Sequence, residues 1–210
     1  MKSKSKTNLF TLLTVFSLAT LSSPAPAAPQ SFNFKDPKGV NNAVFKLDAP
    51  LEAINGSASG VSGTVTFDTA DPGATKGRIV VDAGSLHVPN PLMKEHLHGE
   101  QWLDVKQHPV ITFELKQLGS VKTAGDVTTA DASGTLTIKG VARELTVPVK
   151  ITYLKDRLSQ RVPSLKGDLL VIRSNFDIKR TDFEINPKAP ADKVSDTIAL
   201  SLSIAGASPR

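Results

Sequence analysis

Four histidines are the side chains best placed by type to do chemistry: His87, His96, His98 and His108. His96-x-His98 would offer two metal ligands from an extended segment, with Glu95, Glu100 or Asp104 completing a set. A helix would splay positions i and i+2 by about 200°, which opposes joint ligation. His108 precedes Pro109 at the entry to a strand, an ordinary place for a surface histidine. Solvated or hydrogen-bonded loop histidines are therefore the expectation. No metal and no cofactor are expected, and a His-cluster metal protein stands only as an alternative.

Nucleophilic catalysis finds less support. There is no cysteine. The nearest approach to a Gly-x-Ser-x-Gly elbow is Gly56-Ser57-Ala58-Ser59-Gly60, whose central residue is alanine. Asp177, Asp182 and Glu184 gather near Arg173, Lys179 and Arg180. Paired carboxylates can hydrolyse glycosides, but interleaved charges of both signs point to ion pairs or a polar pocket mouth. The sequence is not expected to be an enzyme.

The elements that would carry these side chains read as strand after strand. Val61, Val65 and Phe67 alternate with Ser62, Thr64 and Thr66, and Ile79 and Val81 with Arg78 and Asp82. Ile111, Phe113 and Leu115 share one face, as do Leu136 and Ile138. The clearest run is Leu145, Val147, Val149, Ile151 and Tyr153; Pro148, on its polar face, suggests an edge, a bulge or a break. Ile198, Leu200, Leu202 and Ile204 end the series. Asp71-Pro72-Gly73, Lys139-Gly140 and Asn186-Pro187 supply turns.

About eight such strands with one apolar face predict an all-β antiparallel fold, closed into a barrel because closure removes exposed edges. The exception lies near residues 90–104, where Met93 and Leu97 are four apart and Trp102 and Leu103 follow a glycine. A short helical segment over one barrel end is expected there.

The first 27 residues carry a separate signal. Lys2, Lys4 and Lys6 precede an apolar stretch from about Leu9 to Leu21, and Ala25-Pro26-Ala27 follows. Those are the three parts of a secretory leader, and the apolar run is shorter than the roughly 20 residues of a membrane span. Cleavage near Ala27 would leave a single domain over residues 28–210, periplasmic or secreted, with no later membrane-spanning segment. Taking the three leader lysines from the 25 basic residues leaves 22 against 20 acidic ones. With one Trp, one Tyr and no basic run, nucleic acid is not an expected partner.

At the stretch from Asp82 to Glu114 the chain resembles the YceI-like family of bacterial polyisoprenoid-binding proteins. The resemblance rests on Val81-Asp82-Ala83-Gly84-Ser85-Leu86, Met93-Lys94-Glu95-His96-Leu97, Trp102-Leu103-Asp104 and Pro109-Val110-Ile111-Thr112-Phe113. It continues through Gly134 to Val141, Val147-Pro148-Val149 and the stretch Phe176 to Phe183, nearly the whole mature chain in one order. Lys94 and Glu184 depart from the family's usual residues at their positions, and lysine is the poorer bidentate partner for phosphate.

The resemblance implies an exported, lipocalin-like barrel holding a polyisoprenoid, an isoprenoid quinone or another long apolar lipid, for transport or storage. The interior positions would then be Val65, Phe67, Ile79, Val81, Ile111, Phe113, Val147, Ile151, Phe176, Ile178, Leu200 and Leu202. Lys94, His96 and Arg180 would stand at the mouth as donors to a head group. A ligand-free stress or adhesion module is the alternative, and the oligomeric state stays open, a homodimer included.

Overall fold

The alternating runs fold as antiparallel strands that turn their apolar faces inward. The computed structural model describes residues 28–210, so the expected leader lies outside the described residues. The strands are β1 (Gln30–Asn33), β2 (Asn42–Asp48), β3 (Ala53–Ala58), β4 (Val61–Phe67), β5 (Lys76–Asp82), β6 (Leu86–His87), β7 (Val110–Ala124), β8 (Val127–Ile138), β9 (Val141–Leu154), β10 (Gly167–Lys179) and β11 (Thr197–Pro209). Helix α1 (Pro91–His98) lies between β6 and β7, and the single turn α2 (Leu158–Arg161) between β9 and β10.

Six of the short strands are halves of three bent ones. β1 pairs with β4 and β2 with β3, while β4 pairs with β5 and β3 with β6. The wall is therefore eight antiparallel strands following one another in chain order, closed where β2 and β1 meet β11. This is the lipocalin-like up-and-down barrel expected from the alternation and the family resemblance. Lys139 and Gly140 both take positive φ, 51° and 76°, and make the two-residue turn that matches strand twist in a tight hairpin.

The structure extends the sequence reading in three places. The β7–β8 hairpin is longer than the apolar alternation indicated. Its far half carries Ala130, Ala132 and several Thr and Ser, whose small side chains make little hydropathy contrast. β10 likewise begins well before Phe176, at Gly167. Finally, the register of β7 against β8 slips between Leu115 and Gln117, so Leu118 rather than Gln117 regains the inward face.

Pro148 marks a parting in the wall. β9 is continuous, but its ladder with β10 runs only from Leu154↔Leu169 to Lys150↔Arg173. Proline has no N–H to donate, and the Pro148 carbonyl accepts instead from Ser174 Oγ at 2.6 Å. Beyond that point β9 and β10 separate, and the 3-10 turn Thr181–Phe183 packs against β9 with Phe183 buried.

The opposite end is shut. Phe32, Phe34, Phe67 and Leu170 are fully or nearly fully buried there, with the Tyr153 ring edge-on to Phe32. Two polar knots tie this end. Asp36 accepts from the backbone amides of Lys38, Val40 and Asn41 and pairs with Arg161 of α2 at 2.7 Å. Asp168, 1% exposed, accepts from Gln30 Nε2, Tyr153 Oη, the Asp156 amide and Arg210.

Burial alone would raise the Asp168 pKa. The Asp156 amide, the Tyr153 hydroxyl, Gln30 and then Arg210 outweigh it and hold the carboxyl below the ordinary carboxylate range. Burial and the adjoining Asp168 push Tyr153 up to about 12.

A depressed native pKa gives stability that is complete above the unfolded value, about 3.9, and is lost as pH falls through the native one. Urea titrations across that acid window will show the wild type losing stability steadily below about pH 4. In Asp168→Asn the loss over the same window will be smaller, from a starting stability lower by roughly 1–3 kcal/mol. Parallel acid limbs in the two proteins would show that Asp168 is not the group responsible.

A candidate lipid cavity

Alternation gives each strand a row of inward side chains, and in a ring of eight the rows need not meet at the axis. Here they leave a cavity of about 400 Å³, within the usual size of ligand pockets, roughly 300–1,000 Å³. Of the residues expected inside, Val65, Ile79, Val81, Ile111, Phe113, Val147, Ile151, Phe176, Ile178, Leu200 and Leu202 border it. Phe67 does not; it lies in the core of the shut end, its ring 6.4 Å from that of Tyr153.

Residues that the alternation did not single out matter as much. Ala43, Ala58 and Ala132 border the cavity, and their missing bulk makes the space. Opposite Phe45 the strand carries Gly56, where a Cβ would come within 2.1 Å of the ring. The glycine lets Phe45 lie flat against β3 instead of filling the interior.

The mouth is built by α1, the segment after it, the β2–β3 hairpin and residues 180–196. Pro91 starts α1 and the Asn90 side chain caps it by accepting from the Met93 amide at 3.1 Å. Met93, His96, Leu97, Trp102 and Leu103 from this region border the cavity with Ile185 and Val194 across from them. The segments are stitched by main-chain bonds: Leu51 N to Asp192 O, and Asn186 N to Gln101 O.

The three expected head-group donors separate in the structure. His96 is exposed and borders the cavity. Lys94 is half-buried on α1 and is not among the bordering residues. Arg180 borders the cavity while only 2% exposed. Its Nε donates to the Ser195 carbonyl at 3.4 Å and its Nη1 to the carbonyls of Ile185, at 2.6 Å, and Asn186.

Two of the hydroxyls on the wall are engaged by the main chain. Ser174 and Thr75 give their hydroxyl protons to the carbonyls of Pro148 and Pro72. His98 is held by Leu86 O at 2.8 Å, and among the described residues no three metal-binding side chains converge. Among the same residues no helix is long and apolar enough to cross a membrane.

An eight-stranded closed barrel around an apolar cavity is the lipocalin-like architecture. The family model described as the YceI-like domain matches residues 36–205, and the chain belongs to the YceI-like family. A UPF0312 protein of Yersinia pestis is 31% identical over 154 residues, 73% of each chain. One from Ectopseudomonas mendocina is 29% identical over 154 residues, covering 73% of this chain and 74% of its own.

Among solved structures, Burkholderia cenocepacia BcnA superposes with a TM-score of 0.64 at 21% identity, covering 79% of this chain and 95% of its own. A polyisoprenoid binding domain from Saccharophagus degradans, implicated in plant cell wall breakdown, gives 0.62 at 12% identity over 87% and 100%. At these identities the structural likeness establishes the fold.

The cavity gives a direct test through Ala132, which is buried on its wall. Ala132→Phe will fill space without adding a polar group, so the melting temperature will stay within a few degrees of wild type. Uptake of a fluorescent apolar probe will fall sharply. Undiminished uptake would place the guest elsewhere.

Proposed function

We propose that this protein is an exported lipid carrier whose barrel holds a polyisoprenoid or isoprenoid-quinone-type chain, for transport or storage. The observation that carries the reading is the apolar cavity itself, bordered by inward residues of nearly every wall strand and opening at one end. Apolar area removed from water is worth about 25 cal/mol per Å², so a long hydrocarbon guest binds such a cavity with few polar contacts. The named activity of the Saccharophagus domain is of the same kind.

His96 at the mouth and Lys94 nearby on α1 supply donors at the entrance to the cavity. The protein is read as a binder rather than an enzyme: the wall is overwhelmingly apolar, and the Thr75 and Ser174 hydroxyls on it donate to backbone carbonyls. Export follows from the leader pattern, and cleavage after Ala27 places the mature chain in the periplasm or outside the cell.

Two measurements on protein purified from its native compartment test this. Mass spectrometry of organic extracts, against mock-purified controls, will return one isoprenoid or quinone per barrel. An empty barrel that also refuses added prenyl lipid would sink the carrier reading and favour a ligand-free stress or adhesion module. Amino-terminal sequencing will begin at Ala28; a chain beginning at Met1 would rule out cleavage.

A further inference from the structure

Among the described residues, the one buried charged group on the cavity wall is cationic, and it lacks a counter-ion. Arg180 follows β10 directly, is 2% exposed, and borders the apolar cavity. Among the described residues no carboxylate forms an ion pair with it. This contrasts with the shut end, where Arg161 and Arg210 each meet an aspartate. Arginine keeps its charge in protein interiors, and a buried charge without a partner is costly.

Three backbone carbonyls occupy Nε and Nη1, and among the described residues Nη2 has no acceptor. One nitrogen is thus left for a guest. The surroundings limit how much negative charge that guest brings, because Glu52 borders the same cavity and Asp182 and Glu184 sit exposed in the rim segment. A multiply charged head would meet like charges there.

The wall also measures the tail. From Arg180 the cavity follows β10 down to Ile172, about 25 Å of strand, or about 20 Å of depth at the usual barrel tilt. An extended hydrocarbon zigzag of C–C bonds near 1.5 Å advances about 1.25 Å per carbon, so a chain of about sixteen carbons spans that depth.

We infer that the guest is a lipid acid: a chain of that length, prenyl or acyl, ending in a compact, singly charged carboxylate received by Arg180. The inference rests on the carrier reading and specifies the head group that reading leaves open.

The test compares heads on matched tails, using stripped, refolded wild-type protein and its variants. Geranylgeranoic acid and palmitate will bind roughly ten- to a hundredfold more tightly at neutral pH than geranylgeraniol and palmityl alcohol, the worth of one charge-assisted hydrogen bond. Arg180→Met will abolish the preference for acids over alcohols, while Arg180→Lys will keep part of it. Equal binding of acids and alcohols by the wild type would overturn the inference and leave the carrier reading standing. Tighter binding of geranylgeranyl diphosphate than of the acid would overturn the singly charged head. Refusal of every lipid would overturn the carrier reading itself. If Arg180→Met fails to fold, the wild-type ranking of heads still decides the matter.

Discussion

The barrel depends on closing a seam that its backbone alone leaves incomplete. One edge of β11 pairs with β10 along all thirteen of its residues, Gly167↔Pro209 to Lys179↔Thr197. The other edge is shared: β2 takes Ala199 to Ser203, and β1 takes only Ala207. Between them the chain leaves the wall, and the Asn41 side chain stands in for the missing backbone. It accepts from the Ala205 amide at 2.8 Å and donates to the Ala205 carbonyl at 3.1 Å and the Phe34 carbonyl at 2.9 Å. Arg161 Nη2 completes its hydrogen bonding at 3.1 Å. A buried amide with all its capacity used is worth far more than one left half-satisfied. An open seam would expose strand edges and admit water to the apolar interior.

The polar groups fall into two populations that this geometry keeps apart. At the shut end the two buried carboxylates are matched, Asp36 by Arg161 and Asp168 by Arg210, and the knots fasten loops and Arg210 over the aromatic floor. At the mouth, Arg180 is held by carbonyls and the strands on either side of the rim part company past Pro148. The polar fastening is concentrated at the shut end, and the wall is parted at the mouth.

Much of this was legible in the sequence because a barrel wall writes itself as period-two alternation, and Val147, Ile151, Leu200 and Leu202 are strong marks. The Lys139-Gly140 turn and the parting at Pro148 were legible too, since each follows from what one residue cannot do or does easily. The cavity was less so. Ala43, Ala58 and Ala132 define it by what they lack, and hydropathy patterns do not register absence. Leu118 was hidden by the bulge at Lys116, which changes the parity of the strand. Asn41 and Asp168 left no signal, because a polar residue in a loop or at a strand start looks the same whether solvated or buried.

The meeting of Asn41 with Ala205, 164 positions apart, also sets the order of events in time. Hairpins such as β7–β8 and β8–β9 form from neighbouring residues, but the ring cannot be completed until the final strand has arrived at the first. Joining such distant segments is entropically slow. Until then the inward rows form an open, curved sheet with a greasy concave face. A lipid present at that stage would find the surface before the container exists.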